Sequence, residues 1–128
     1  MSIRSEALGR HLFVDLYECD ERRLNDLEFI KKIMTEAAKV SRATIVDRSF
    51  HRFKPHGVSG VVVIAESHIS IHTWPEFRCA LVDILTCGKD MKPEKAVELL
   101  KGRLCAKSIS IDEKARMVLP VSVRGLTG

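Results

Sequence analysis

Residues that could do chemistry are concentrated in one short stretch, residues 65–76, with the sequence AESHISIHTWPE. Residues 66–72 alone hold a carboxylate, two hydroxyls and two imidazoles. The run before them, residues 57–64, is apolar and predicts a buried strand. Because polar groups are costly to bury without hydrogen bonds, a purely structural strand end would rarely collect so many. The stretch is therefore a candidate active site.

A metal site is the first hypothesis for this stretch, with His68 and His72 as ligands. On a helix this spacing would place both imidazoles on one face. The alternation of residues 69–71 favours a strand instead, on which four residues span about 13 Å. Two ligands that far apart cannot easily bind one ion, and no C-x-x-C pair is present. We predict no metal, and we expect the four cysteines (Cys19, Cys79, Cys87 and Cys105) to be thiols.

A serine hydrolase is the second hypothesis, with Ser67 as the nucleophile and a histidine as its base. The neighbours of Ser67 are Glu66 and His68. The G-x-S-x-G elbow that presents such a nucleophile is therefore absent around it. A serine and a histidine without the elbow give only weak support to this reaction.

Composition limits the remaining classes of function. The 128 residues are 45% hydrophobic and 30% charged, which is typical of one globular domain. The net charge of +4 is scattered, and the basic and aromatic residues 48–54 are weak grounds for nucleic-acid binding. No apolar run approaches the ~20 residues of a membrane helix. Since residues 1–6 lack a secretory signal, we expect a cytoplasmic protein.

Hydrophobic periodicity predicts strands and two helices that together position the candidate site. Asn25 and Glu28 resemble a capping box for a helix that ends near Val40. Pro93 suits the first turn of the second helix. Strands are predicted at residues 9–19, 43–53, 58–65, 77–86, 107–112 and 117–123.

The chain also contains an internal echo. Residues 12–19 align with residues 80–87, with a Val-Asp pair and a cysteine at matching positions in each. The echo predicts two similar strand-helix-strand-strand halves that share one mostly antiparallel sheet. We therefore expect an α+β fold, a two-layer sandwich with two helices on one face of the sheet. The other face, with Val61 and Val63, would need a cover, which predicts a homodimer.

Four motifs together resemble one known family. They are FKPHGVSG at residues 53–60, AESH at 65–68, HTWPE at 72–76 and LTCG at 85–88. Their sequence and spacing closely resemble the prokaryotic S-adenosylmethionine decarboxylase proenzymes, which are pyruvoyl-dependent. The resemblance runs from about residue 9 to residue 104, departs at residues 77–79, and is loose over the last twenty residues.

This resemblance implies that the chain, a single domain over residues 1–128, cuts itself at the Glu66–Ser67 bond. The serine hydroxyl would attack the carbonyl of Glu66, and Ser67 would become a pyruvoyl group, the covalent cofactor. The products would be a β chain of residues 1–66 and an α chain of residues 67–128. By the same resemblance, His72 gives acid–base help in this processing and Ser59 contributes a hydroxyl.

The resemblance also implies how the substrate is held and decarboxylated. The substrate amine would form a Schiff base with the pyruvoyl group, and Cys87 would return a proton after carbon dioxide leaves. Phe53 would stack on the adenine, Glu76 would bind the ribose hydroxyls, and Trp74 would line the pocket. Simpler structural roles remain open for two of these residues, since Cys87 could be a small buried hydrophobe and Phe53 could be core.

The predicted function is decarboxylation of S-adenosylmethionine to the aminopropyl donor for spermidine. One alternative within the family is a pyruvoyl-dependent arginine decarboxylase that makes agmatine. An alternative of another class is an unprocessed, non-catalytic ligand-binding dimer. The first choice predicts S-adenosylmethionine and a second copy of the chain as partners, with neither nucleic acid nor a membrane.

Overall fold

The computed structural model describes residues 5–120, which form one antiparallel sheet with helices packed on it. The six strands lie in the order β2-β3-β4-β5-β1-β6, and every neighbouring pair is antiparallel. This confirms the predicted α+β class. In chain order the elements are β1 Ser5–Tyr17, α1 Glu21–Leu24, α2 Leu27–Val40, β2 Ile45–Arg52, β3 Val58–Ile64, β4 Ser67–Trp74, a 3-10 turn Pro75–Phe77, β5 Cys79–Thr86, α3 Pro93–Arg103 and β6 Ser108–Pro120.

The hydrophobic core lies between the helices and one face of the sheet. In α2 the buried residues Ile30, Ile33 and Ala37 recur at helical spacing, so they form one stripe along the helix. In β4 the alternate residues Ile69 and Ile71 are fully buried and belong to the same core. Burying these apolar side chains stabilises the two layers against each other and fixes the register of the strands.

The start of α2 differs from its prediction. Its N-cap is Asp26, whose Oδ1 accepts a hydrogen bond from the backbone N–H of Phe29 at 3.0 Å. Asn25 instead ends the single turn α1, which the sequence pattern did not predict. Asn and Asp are both favourable N-cap residues, so the local sequence does not decide whether position 25 or position 26 caps the helix. The side chain of Asn25 is consequently free for another contact.

The end of the chain also differs from its prediction. Residues 107–112 and 117–123 were expected as two strands, but residues 108–120 form the single strand β6. Met117, whose φ is 52°, is missing from the pairing with β1, but the register is the same on both sides of it, so the distortion is local and inserts no extra residue. Pro120 is tolerated because β6 is an edge strand of the described sheet. Residues 121–123 lie outside the described residues.

The second face of the sheet has no cover among residues 5–120. Phe13 is 39% exposed and Val63 is 39% exposed on this face. Between these apolar residues lie polar ones, including His68, His72 and Asp83, which the strand register places on the same face. We refer to this surface as the uncovered face. No helix of the described part is long and apolar enough to span a membrane.

Candidate active site

The Glu66–Ser67 peptide lies in the tight connection between β3 and β4, and the structure holds it firmly. The backbone N–H of Ala65 donates to the carbonyl of Thr44 at 2.8 Å. The backbone N–H of Thr44 donates to Oε1 of Glu66 at 3.0 Å. Ser67 has a φ of 150°, a region that residues with a side chain rarely adopt. The peptide is therefore both anchored and strained.

Cys87 contacts this peptide from the end of β5. Its backbone N–H donates to the carbonyl oxygen of Glu66 at 2.8 Å, and its Sγ lies 3.4 Å from Oγ of Ser67. A Cβ added at Gly88 would lie 2.6 Å from Cγ of Glu66, so a glycine is needed there. We call Glu66, Ser67 and Cys87 the junction cluster. Cys87 is exposed, so the alternative of a small buried hydrophobe is wrong.

Ser59 and His72 form a second pair farther along the sheet. They are direct partners in the β3–β4 register, and Oγ of Ser59 lies 2.7 Å from Nδ1 of His72. They line a cavity of about 290 Å³, together with Phe50, Gly60 and Ser70. The predicted processing residues are thus hydrogen-bonded to each other beside a space large enough for part of a ligand.

The three predicted substrate-binding residues lie at the same end of the sheet as this pair. Phe53 directly follows β2 and is 46% exposed, so its alternative role as core is wrong. Trp74 ends β4 and is 39% exposed, with its ring centroid 6.5 Å from that of His72. Oε2 of Glu76 lies 3.4 Å from Nε2 of His56. We call Ser59, His72, Phe53, Trp74 and Glu76 the pocket cluster.

The two clusters are far apart within one protomer. Ser67 begins β4 and His72 lies five residues along the same strand. At ~3.3 Å per residue this separation is about 16 Å, well beyond the reach of either side chain. The structure therefore brings Ser67 to Cys87 and Ser59 to His72, but it does not bring the two pairs together.

A histidine pair on the uncovered face adjoins the junction cluster. The rings of His11 and His68 are perpendicular, with centroids 6.3 Å apart, and Nε2 of His11 lies 3.3 Å from Oδ1 of Asp83. Burial lowers the pKa of His68 below its usual 6.5 and the neighbouring His11 lowers it further, whereas Asp83 opposes the shift. His68 is therefore disposed to be neutral beside Ser67.

The other cysteines lie away from this chemistry. Burial raises the pKa of Cys19 to about 11, and burial also raises the pKa of Cys79. Both are thus held as thiols, as structural residues would be. Over residues 5–120, no group of three or more His, Cys, Asp or Glu side chains is arranged to hold a metal ion.

Four residues of the site were not assigned from the sequence: Asn25, Thr44, His56 and Gly88. Gly88 could have been suspected, because it directly follows Cys87 within the LTCG motif. Thr44 acts through its backbone and gives no sequence signal. Asn25 and His56 make contacts that only the folded chain brings about.

Comparison with known proteins decides the family. Residues 10–117 match the model of a family described as S-adenosylmethionine decarboxylase. The chain belongs to the S-adenosylmethionine decarboxylase family. A relative in this family, the S-adenosylmethionine decarboxylase proenzyme of Thermotoga maritima, is 52% identical over 111 residues, covering 87% of this chain and 85% of the relative. The proenzyme of Clostridium tetani is 46% identical over 119 residues, covering 91% and 94%.

A solved structure agrees with this family membership. The crystal structure of the adenosylmethionine decarboxylase from Aquifex aeolicus VF5 is similar to this decarboxylase with a TM-score of 0.81 and 38% sequence identity. The similarity covers 87% of this chain and 92% of that one. These findings confirm the resemblance and the decarboxylation of S-adenosylmethionine predicted from the sequence. They give no support to arginine as the substrate or to a non-catalytic ligand-binding protein.

Proposed function

We propose that this S-adenosylmethionine decarboxylase makes its own pyruvoyl cofactor by cutting its chain between Glu66 and Ser67. The observation that carries the proposal is the hydrogen bond of 2.8 Å from the Cys87 N–H to the carbonyl oxygen of Glu66. When Oγ of Ser67 attacks this carbonyl carbon, negative charge develops on that oxygen. A backbone N–H already in place stabilises the charge without reorganisation.

The bonds change in three steps. The hydroxyl of Ser67 replaces its own amide nitrogen on the carbonyl carbon of Glu66, so that an ester forms and an amine is released. Loss of the Cα proton of residue 67 then breaks the Cβ–Oγ bond, and Glu66 leaves as a carboxylate. Water replaces the nitrogen of the remaining dehydroalanine, releasing ammonia and leaving a pyruvoyl group. The strained φ of Ser67 favours departure from the starting peptide.

The pocket cluster fits the rest of the substrate. The exposed aromatic rings of Phe53 and Trp74 suit stacking on adenine and contact with a sulfonium cation. The carboxylate of Glu76 suits the two hydroxyls of a ribose. The pyruvoyl group supplies the carbonyl that accepts electrons as carbon dioxide leaves. Cys87, whose Sγ lies beside residue 67, returns a proton to the substrate carbon.

A homodimer resolves the separation between the two clusters. We infer that a second copy packs on the uncovered face, as the exposed Phe13 and Val63 favour. A twofold axis between the sheets and perpendicular to β4 would place the Ser67 end of one protomer over the His72 end of its partner. Each complete site would then combine one junction cluster with the partner's pocket cluster, and His72 with Ser59 would assist the cut.

The product, decarboxylated S-adenosylmethionine, serves as the aminopropyl donor for spermidine. Intact mass and a denaturing gel test the processing, and carbon dioxide release from S-adenosylmethionine and from arginine tests the substrate. We expect two fragments of 66 and 62 residues (128 less 66) from the wild type. We also expect carbon dioxide from S-adenosylmethionine. An uncut wild-type chain, or release from arginine alone, would contradict the proposal.

Single variants separate the two chemical roles. Ser67→Ala should remain one chain, and cleavage in this variant would exclude Ser67 as the nucleophile. Ser110→Ala, at an exposed serine of β6, is the matched control and should be cut normally. Cys87→Ala keeps its backbone N–H, so we expect processing to be largely retained and decarboxylation lost. Full activity of Cys87→Ala would remove this residue from the reaction.

A further inference from the structure

A short turn, residues 53–57, carries one member of the pocket cluster and contacts another. Phe53 begins the turn, and its backbone N–H donates to the carbonyl of Gly57 at 2.8 Å. His56 in the turn lies 3.4 Å from the carboxylate of Glu76. The position of this turn therefore determines where the ring of Phe53 lies and where His56 meets the carboxylate of Glu76. We call residues 53–57 the pocket turn.

Asn25 binds the pocket turn at both of its ends. Its Oδ1 accepts a hydrogen bond of 3.0 Å from the backbone N–H of Gly57. Its backbone carbonyl accepts one of 3.2 Å from Nε of Arg52, directly before the turn. Asn25 lies at the junction of α1 and α2, so these bonds tie the turn to the helical layer. The side chain does not cap α2, because Asp26 does so.

The backbone after the turn is anchored on the same side. The N–H of Val58 donates to Oγ1 of Thr73 at 2.9 Å, and that hydroxyl donates to the carbonyl of Leu24 at 2.8 Å. Thr73 is buried and gives β3 a firm start. Gly57 has a φ of 112°, and a Cβ there would lie 3.1 Å from the carbonyl oxygen of Thr73. Gly57 lies between Phe53 and this anchored backbone, and its N–H is bonded by the side-chain amide of Asn25.

We propose that Asn25 is a positioning residue for the adenosyl group of the substrate, acting through Gly57 on the pocket turn. The inference rests on the proposed roles of Phe53 and Glu76. It predicts a specific pattern, in which loss of the Asn25 side chain weakens binding of the adenosyl group. Processing of the Glu66–Ser67 bond is unaffected, because Ser59 and His72, which assist the cut, are held by the β3–β4 register and not by the pocket turn.

The test compares Asn25→Ala with two matched variants. Asn25→Asp keeps an oxygen acceptor for the Gly57 N–H, so it should behave like the wild type. Asp26→Ala removes a hydrogen bond of the same 3.0 Å length from the adjacent residue but touches no part of the turn. It should lower the thermal midpoint about as much as Asn25→Ala does. This control separates loss of stability from loss of positioning.

The measurements are KM and kcat for S-adenosylmethionine, and Kd for 5′-methylthioadenosine by calorimetry. The second ligand carries the adenosyl group and has no amine to react, so its Kd does not depend on turnover. For Asn25→Ala we expect KM and Kd to rise about five- to tenfold, the worth of one partly buried hydrogen bond, with kcat nearly unchanged. Asn25→Asp and Asp26→Ala should leave both constants within twofold of the wild type.

The outcomes separate the two proposals. Wild-type enzyme that releases no carbon dioxide would refute the proposed function, while the Kd ratio would still decide the role of Asn25. Unchanged KM and Kd in Asn25→Ala, or an equal rise in Asp26→Ala, would overturn the positioning role. A fall in kcat at constant KM would overturn it as well. Wild-type protein that binds neither ligand would overturn both.

Discussion

Two inactive variants should restore activity to each other if each site is built from two protomers. Cys87→Ala damages only the junction cluster, and Glu76→Ala damages only the pocket cluster. Within one protomer these clusters are separated by about 16 Å along β4, so neither can complete its own site. In a heterodimer of the two variants, one site combines an intact junction cluster with an intact pocket cluster. The other site carries both changes.

The size of the effect follows from the twofold symmetry. A pure heterodimer, isolated with two different affinity tags after co-expression, has one of its two sites intact. It should therefore show about half of the wild-type rate per dimer, although each parent homodimer is nearly inactive. Carbon dioxide release from labelled S-adenosylmethionine, below KM, measures this rate. Activity no higher than the mean of the two parents would refute the shared site.

A reciprocal heterodimer provides the control. Here one protomer is wild type and the other carries both Cys87→Ala and Glu76→Ala. If sites are shared between protomers, each site contains one damaged cluster and the heterodimer is nearly inactive. If each site lies within one protomer, this heterodimer keeps about half of the wild-type rate. The first heterodimer is therefore active and the second inactive if sites are shared, and the reverse holds if each site lies within one protomer.

Three further predictions follow from individual contacts. Gly88→Ala should slow self-cleavage at least about tenfold on a gel time course, because the new Cβ would lie 2.6 Å from Cγ of Glu66. Gly102→Ala meets nothing within 4 Å and should be cut at the wild-type rate. The pKa of His68 is lower in the folded state than its usual 6.5. The folded protein therefore binds fewer protons at this residue than the unfolded protein does, and the free energy of unfolding should fall as the pH drops below 6.5. Urea unfolding at pH 7.5 and 5.5 measures this loss, which His68→Gln should reduce; an equal loss in that variant would contradict the assignment. Thr73→Val leaves a buried N–H and a buried carbonyl without their partner, so we expect about 2–3 kcal/mol of destabilisation in urea; a loss under about 0.5 kcal/mol would show that these groups find other partners.

The elements predicted from the sequence are those whose own residues show an apolar run or a helical periodicity. The valine run before Glu66 forms β3, in which Val58, Val62 and Ile64 are buried, and α2 ends at Val40 as its periodicity indicates. The N-cap of α2 was misplaced by one residue, because Asn25 and Asp26 are both good caps. The side chain of Asn25 instead accepts a hydrogen bond from the N–H of Gly57, which is 32 residues away. No local sequence pattern predicts such a contact.

The motifs predicted several members of the candidate site but not how these residues are arranged. The motifs named Ser59, His72 and Cys87 through resemblance alone. The strand register then pairs Ser59 with His72 and places Cys87 against Ser67. Spacing along β4 separates Ser67 from His72, but only the pairing of neighbouring strands shows that Cys87 joins the first and Ser59 joins the second. The local distortion at Met117 was equally hidden, because a non-glycine residue there adopts a positive φ.

The order of strands in the sheet gives the proposed cut at residue 66 a consequence for folding. The fragment of residues 1–66 supplies β1, β2 and β3, and the fragment of residues 67–128 supplies β4, β5 and β6. In the sheet, β1 lies between β5 and β6, and β3 borders β4. The two fragments are thus interleaved, and neither holds its three strands side by side. Cutting must follow folding, and the cut protein must regain its sheet by a bimolecular association. Its recovery from denaturant therefore depends on concentration, whereas the uncut protomer folds as one chain.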